Sequence, residues 1–382
     1  MNTFKLPTNV CFDENALDVL LTYKGVNAVV FTDPFMVKSG VADRIAEKLS
    51  GCSSVQIFGD VRPDPPIELI AQGLDFLVKA KADIVVALGG GSSIDAAKAV
   101  ILMAKRTGKM QNIRLIAVPT TSGTGSEVTQ FAVITDKEAG VKYPLVNEEL
   151  QPDVAILAPG LVKTAPPSIT ADTGFDAITH ALEAYISTAS NDFSDALAEK
   201  ALELAFEYLP TAVKNGDDLT ARDKMHKASC LAGMSFNIVS LGVNHGIAHA
   251  LGAKFHIPHG RANAILLPHV MRYNAELPDG FSSDESQYTR AAKKLSKIAQ
   301  RLGIRSTNTR VAVCGLCDKI AAMERECGVP ATLKEAGVSR EDYEAQKEAI
   351  IESALKDACT ATNPRVMDHD GVEAILRCVA KF

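Results

Sequence analysis

The feature that most constrains folding is a change of hydrophobic period near Pro159–Pro167. Before it, Asn27–Thr32, Ser54–Phe58, Asp83–Leu88 and Arg114–Val118 are short runs of β-branched and aliphatic residues, separated by helical-period segments such as Val41–Leu49 and Ile67–Lys79. Short apolar runs alternating with amphipathic helices predict a mostly parallel sheet with crossover helices. After Pro167 the β-branched runs nearly vanish, and Asp192–Tyr208, Arg222–Ser235, Tyr288–Gly303 and Ser339–Ala358 read as long helices. Pro159, Pro166 and Pro167 each fix φ and resist helix, which suits a rigid connection. The chain therefore divides into an α/β domain over 1–165 and an all-α domain over 166–382.

Charge narrows the partners. Lys and Arg number 40 against 46 Asp and Glu, interspersed and without the basic stripe that a phosphate backbone requires, so nucleic acid is excluded. Met1–Val10 carries no apolar signal core, and no apolar run approaches the ~18–20 residues of a membrane span. A cytoplasmic protein is expected. Eight scattered cysteines fit reduced thiols, and Cys314 with Cys317, lacking a second CxxC, reads as a pair on a helix face.

Two loops follow predicted strands. Leu88-Gly-Gly-Gly-Ser-Ser-Ile-Asp95 opens a predicted helix, where glycines admit a ligand to the backbone and free N–H groups face an anion such as a pyrophosphate. It lacks the usual GxGxxG spacing, and alone it is equally a tight turn. Val118-Pro-Thr-Thr-Ser-Gly-Thr-Gly-Ser-Glu127 adds hydroxyls and two glycines, so the two loops together point to one nucleotide site. Asp33, after the first predicted strand, would accept hydrogen bonds from ribose hydroxyls and repel a 2′-phosphate, favouring NAD over NADP; its other reading is a turn aspartate before Pro34.

The helical half holds a second constellation. Asp176 and His180 stand four residues apart, on one face of a helix, and Asn244–Gly260 contains His245, His249, His256 and His259, half of all the histidines. Three histidines and an aspartate suit a divalent first-row metal, Fe2+ or Zn2+, and the donor types do not choose between them. His226, His269 and His369 lie outside the cluster and read as structural or solvated.

With these motifs the chain resembles the iron-containing (group III) alcohol dehydrogenases along essentially its whole length. The resemblance rests on Gly89-Gly-Gly-Ser92 with Asp95, Pro119–Glu127, Asp176-Ala-Ile-Thr-His-Ala-Leu-Glu183, Pro258-His-Gly260 and Ala262-Asn-Ala264. Within the family it is most similar to the 1-propanol dehydrogenases of propanediol-utilising microcompartments, through Lys142-Tyr-Pro-Leu145, Asp195–Lys200, Leu209–Val213, Lys224-Met-His226 and Thr362-Asn-Pro-Arg365. Ala158, before Pro159, replaces a usual aspartate, and Asp64 stands where a turn asparagine is frequent.

The resemblance implies a dinucleotide-binding domain over 1–165, a metal and substrate domain over 166–382, and an active site in the cleft between them. Asp176, His180, His245 and His259 would hold Fe2+, with Zn2+ the alternative. His249 would be catalytic without being a ligand. Asp33, Gly90, Gly91, Ser92, Thr120, Thr121 and Lys142 would line NAD. The implied reaction moves a hydride between NAD(H) and a small primary alcohol or aldehyde such as 1-propanol and propionaldehyde. Butanol, 1,3-propanediol and 4-hydroxybutyrate are the substrate alternatives within the family. A homodimer and association with a microcompartment are the expected assemblies. Two other classes compete: a metal- and NAD-dependent lyase related to dehydroquinate synthase, which needs extra basic residues for an anionic substrate, and a nucleotide sensor, which has no use for four metal donors.

Overall fold

The computed structural model describes residues 4–136, 141–280, 282 and 284–382, leaving out the side chains of 141 and 142. The backbone forms two compact units, Met1–Ala165 and Pro166–Phe382.

The first unit carries β1 (Asn9–Phe12), β2 (Asn27–Phe31), β3 (Ser54–Phe58), β4 (Ile84–Gly89), β5 (Arg114–Pro119), β6 (Phe131–Asp136), β7 (Val141–Val146) and β8 (Val154–Leu157). Its helices are α1 (Pro34–Lys38), α2 (Val41–Lys48), α3 (Ile67–Ala80), α4 (Gly91–Arg106) and α5 (Pro159–Val162). Six strands pair in parallel in the order β1-β8-β5-β4-β2-β3, while β6 and β7 form a separate antiparallel pair. The central strands are buried on both faces, as their unbroken apolar runs require. One core packs α3 and α4 against one face of the sheet, and a second gathers α2 and the turn Ala16–Thr22 on the other. The topology matters for function. From β3 the chain crosses over β2 to β4, so the direction of winding reverses between β2 and β4. Open α/β sheets receive ligands at such a reversal, outside the carboxyl ends of the strands.

The second unit consists of α6 (Pro167–Ile186), α7 (Asp192–Lys214), α8 (Leu219–Val239), α9 (Val243–Phe255), α10 (His259–Ala275), α11 (Arg290–Arg301), α12 (Thr309–Glu326), α13 (Arg340–Lys356) and α14 (His369–Val379). α6 is its axis: every residue from Gly174 to Ile186 is buried, and the helix packs against α7, α8 and α10. A helix buried all round has no wet face, so its polar side chains must find partners inside the protein.

All four strands and all six helices expected from pattern form, with ends shifted by a few residues. The largest shift is in α7, which runs through Pro210 to Lys214. Proline costs that helix a backbone hydrogen bond, but Leu209, Ala212 and Val213 are buried around it and packing holds the last turn. β1 and β8, four residues each, stand at the shortest length at which a strand pattern is legible. Asp64 sits at φ +50°, in the left-handed region that asparagine and aspartate tolerate better than other residues with a side chain. Cys314 and Cys317 lie on α12 as helix-face thiols.

One buried acid is poorly served by this packing. Glu324 on α12 is 2% exposed, and its Oε1 has no hydrogen-bond partner among the described residues. Burial, only partly offset by Arg325, pushes its carboxyl from 4.5 up to about 8. Between those values the folded chain binds a proton that the unfolded chain does not, so stability falls as pH rises, by up to about 1.4 kcal/mol per pH unit. Glu324→Gln should flatten the decline of Tm between pH 5 and 8 and raise Tm at pH 8. An unchanged Tm profile would show that Glu324 is solvated or paired.

Candidate functional site

The helical unit brings Asp176, His180, His245 and His259 together, with one ligand atom of each within 4.8 Å of all the others. Asp176 and His180 are one turn apart on α6, His245 lies in the first turn of α9 and His259 opens α10. The Asp176 Oδ1 is the hub, at 3.4 Å from His259 Nε2, 3.8 Å from His245 Nε2 and 4.0 Å from His180 Nε2. The closeness depends on Gly260, because a Cβ there would collide with the Asp172 carbonyl of α6. Glycine lets the first turn of α10 touch the α6 backbone, and His259 rides in on that contact.

Neighbours aim the donors. Glu183, one turn past His180, accepts the His245 Nδ1–H at 2.6 Å and the Asn244 backbone N–H at 2.7 Å. Glu183 thereby holds a proton on Nδ1, and Nε2 is the ring nitrogen that faces Asp176. The His180 ring stacks between Phe236 and His245, with centroids 4.5 and 4.6 Å away. Asn263 on α10 donates its amide to Asp176 Oδ1 at 2.8 Å, with His245 Nε2 and His259 Nε2 both at 3.2 Å. Asn244 fixes that amide by donating to its Oδ1 at 3.0 Å. Burial favours the neutral Asp176 carboxyl, yet the surrounding histidines hold it well below the usual range. For His245, burial is outweighed by the Asp176 and Glu183 carboxylates, which raise it to about 9.

The donor set fits a divalent cation. Four donors around a tetrahedral ion at ~2.0–2.2 Å stand about 3.4 Å apart, close to the separations around Asp176. No thiol joins this group of four. His259 keeps 40% of its side chain exposed, leaving one side of the cluster accessible.

His249, one turn along α9 from His245, stays outside the four. Its ring stacks on that of His259, centroids 5.1 Å apart and 13° from parallel, and its Nδ1 donates to Asp357 Oδ2 at 2.8 Å. His256, in the left-handed conformation that ends α9, is exposed and takes no part, and His369 pairs with Glu348.

In the α/β unit the two loops meet where the sheet reverses direction. Gly89 ends β4 at φ +145°, and a Cβ there would strike Ser93 and stand 3.4 Å from Asp33 Oδ2. Gly90 and Gly91 begin α4, whose first N–H groups are free of helical partners, and Ser92 follows in its first turn. Gly90 lies against Thr121 and Gly91 against Thr124, while the Thr120 N–H donates to the Gly89 carbonyl. Asp33 caps α1 through Oδ1, accepting the Met36 N–H at 3.0 Å, so it is a turn residue whose second oxygen borders the glycine loop. Lys142 lies on β7, its side chain outside the described residues.

Beneath the loops Lys98 is fully buried. Its Nζ donates to the Ser126 hydroxyl and to the Thr129 and Phe131 carbonyls at 2.8–3.0 Å, and Asp95 accepts from the Ser126 hydroxyl and the Val133 N–H. Burial brings the ammonium down to about 8, with Asp95 and Glu127 opposing. The threonine loop is thus tied to α4 from inside.

Sequence patterns missed Glu183, Asn263, Asp357 and Lys98. Glu183 continues the series Asp176, His180 at helical spacing, and Asn263 falls four residues after His259, so both had a local signal. Asp357 is 108 residues from His249 and had none.

The architecture recurs in known proteins. The family model of iron-containing alcohol dehydrogenase matches residues 7–159, and that of the Fe-containing alcohol dehydrogenase family, C-terminal, matches 170–380. A 1-propanol dehydrogenase of Citrobacter freundii is 41% identical over 98% of this chain and 99% of its own length. An NADPH-dependent butanol dehydrogenase of Clostridium saccharobutylicum is 35% identical over 99% and 98%. Among solved structures, a 1,3-propanediol oxidoreductase superposes with a TM-score of 0.87 at 34% identity, covering 99% of each chain. Sulfoacetaldehyde reductase from Bifidobacterium kashiwanohense in complex with NAD+ gives 0.84 at 27%, covering 100% of this chain and 99% of its own. With both halves matched and a relative alike from end to end, this chain belongs to the iron-containing alcohol dehydrogenase family.

Proposed function

We propose that the protein reduces small aldehydes such as propionaldehyde with NADH, and oxidises the corresponding primary alcohols, at a centre made by Asp176, His180, His245 and His259. The convergence of these four donors within 4.8 Å carries the reading. When bound there, Fe2+ supplies a Lewis acid for the substrate oxygen, and NAD carries the hydride. Three imidazoles and one carboxylate also accept Zn2+. The short-chain preference is supported by the 1-propanol dehydrogenase relative, and the dinucleotide by the NAD+ complex of the sulfoacetaldehyde reductase.

The chain's own residues divide the remaining work. Glu183 keeps the His245 Nε2 turned inward, and Asn263 steadies the Asp176 oxygen. His249, 40% exposed beside His259, holds or releases a proton at Nε2 for the substrate oxygen. The α4 N-terminus at Gly90, Gly91 and Ser92 binds the pyrophosphate, Thr120 and Thr121 border it, Asp33 takes the ribose, and Lys142 belongs to the same proposed cofactor-binding set. Residues 1–165 act as the dinucleotide-binding domain and 166–382 as the metal and substrate domain. A homodimer, and residence in the cytoplasm or a microcompartment, complete the proposal; among the described residues no helix is long and apolar enough to cross a membrane.

His180→Ala or His259→Ala should abolish metal binding and turnover in a chain that keeps its helical circular dichroism, because each removes one of four donors. Wild-type metal content in either variant refutes the ligand set. Glu183→Gln should weaken metal affinity about 10- to 100-fold, as loss of a partner to a ligating histidine does. Unaltered affinity means that the His245–Glu183 pair is only structural.

For the dinucleotide, Asp33 places a like charge beside a 2′-phosphate. At ~4 Å the repulsion is worth between about 1 kcal/mol in water and about 4 kcal/mol at an effective dielectric of ~20. The kcat/KM for NADH should exceed that for NADPH by roughly tenfold or more, and Asp33→Gly should narrow the gap. Equal values in the unmodified enzyme would leave Asp33 as the cap of α1 alone.

A further inference from the structure

We infer that Asp357 is the positioning residue of His249, fixing its tautomer and its aim so that the two side chains act as one proton-handling pair beside the four-donor centre. The inference rests on the proton role proposed for His249 and adds to it a residue from a distant part of the chain.

A histidine on an accessible helix face ordinarily samples several rotamers and both neutral tautomers. His249 is 40% exposed, yet it is held on two sides. Its ring lies nearly parallel on that of His259, and its Nδ1–H meets Asp357 Oδ2 at 2.8 Å. A carboxylate only accepts, so the ring proton belongs on Nδ1 and the reactive lone pair, or the second proton, on Nε2. The direction of Nε2 is therefore set by where Asp357 stands.

Asp357 is itself anchored. Its other oxygen, Oδ1, accepts the Cys359 backbone N–H at 2.8 Å and so caps the turn Ala358–Thr362. That turn is fastened at both ends: Thr360 Oγ1 donates to the Ala354 carbonyl at 2.7 Å, and Thr362 Oγ1 to the Leu241 carbonyl, just before α9, at 2.6 Å. α9 rests directly on this segment at Gly246, where a Cβ would collide with Thr360 Oγ1 and stand 3.1 Å from the Ala354 carbonyl and 3.5 Å from Asp357 Cβ. With one oxygen spent on the turn and the other on His249, the carboxylate cannot rotate without breaking both bonds. This close contact thus registers His249 against its partner.

In aldehyde reduction the substrate carbon gains its C–H bond with the hydride of NADH, and the oxygen gains its O–H bond as a proton leaves His249 Nε2, which recovers one from water. Asp357 keeps its charge and moves no proton. Its absence frees the ring to rotate and to carry its proton on the wrong nitrogen.

The test uses the full chain loaded with Fe2+ and four variants, Asp357→Ala, Asp357→Asn, His249→Ala and the double variant His249→Ala/Asp357→Ala, assayed for propionaldehyde reduction by NADH. Asp357→Ala should keep its iron and a KM for NADH within about twofold, while kcat falls about 10- to 100-fold, a part of the ~10²–10⁴ that a positioned acid or base supplies. Asp357→Asn, whose carbonyl can still accept from Nδ1, should recover part of that loss. The double variant should be no slower than His249→Ala, because the partner has nothing left to orient. Iron loss in Asp357→Ala, an unchanged kcat, or an equal loss on adding Asp357→Ala to His249→Ala would overturn the pairing. Wild-type turnover by His249→Ala would instead overturn the proton role on which the pairing rests.

Discussion

The helical half is organised around the buried carboxylate of Asp176. Asp176, 3% exposed, lies on a helix that is buried on every side over Gly174–Ile186, where an ionised carboxylate without partners would cost several kcal/mol, a large share of a domain's net stability. Three imidazoles and one amide answer that charge, and each comes from a helix whose position depends on another contact. Gly260 lets α10 touch α6, Glu183 ties the start of α9 to α6, and Asn244 links α9 to Asn263. Helix packing and the four-donor cluster are therefore one construction. A residue enlarged at Gly260 would disturb both, since the contact that packs the helices also sets the reach of His259.

In the α/β half the corresponding constraint is a buried cation. Lys98 sits under the threonine loop with its ammonium fully committed to Ser126, Thr129 and Phe131, and Asp95 closes the network from α4. Loops rich in glycine and threonine are soft by composition, and ties of this kind keep them in a single shape. They flank the reversal in strand order between β2 and β4, the place at which an open parallel sheet accepts a ligand. Asp33 has two carboxylate oxygens there. One oxygen caps α1 and the other borders Gly89, so the proposed ribose contact would not compete with the cap for the same atom.

Much of this was readable from residue order, for identifiable reasons. Buried parallel strands are written as unbroken apolar runs, and β2, β3, β4 and β5 appear within a residue or so of those runs. Asp176 with His180, and His245 with His259, are local patterns on or beside single helices, and these four side chains come together, while His249 stays beside them and His256 apart. What escaped depended on tertiary contact. β1 and β8 stand at the shortest length that shows a period, Pro210 is carried inside α7 by the packing around it, and Lys98 looks like any helix lysine until its burial is known. Asp357 is the extreme case, because nothing near it in the chain distinguishes it from other acids at the ends of helices.

The central claim is that four side chains from α6, α9 and α10 enclose one cation without a thiolate. Anomalous diffraction at the iron edge, from crystals of the full chain grown with Fe2+, tests it most directly. The account predicts a single strong peak about 2.0–2.2 Å from Asp176 Oδ1 and from the Nε2 atoms of His180, His245 and His259. A peak elsewhere, or one bonded to the Cys359 sulfur, would contradict it.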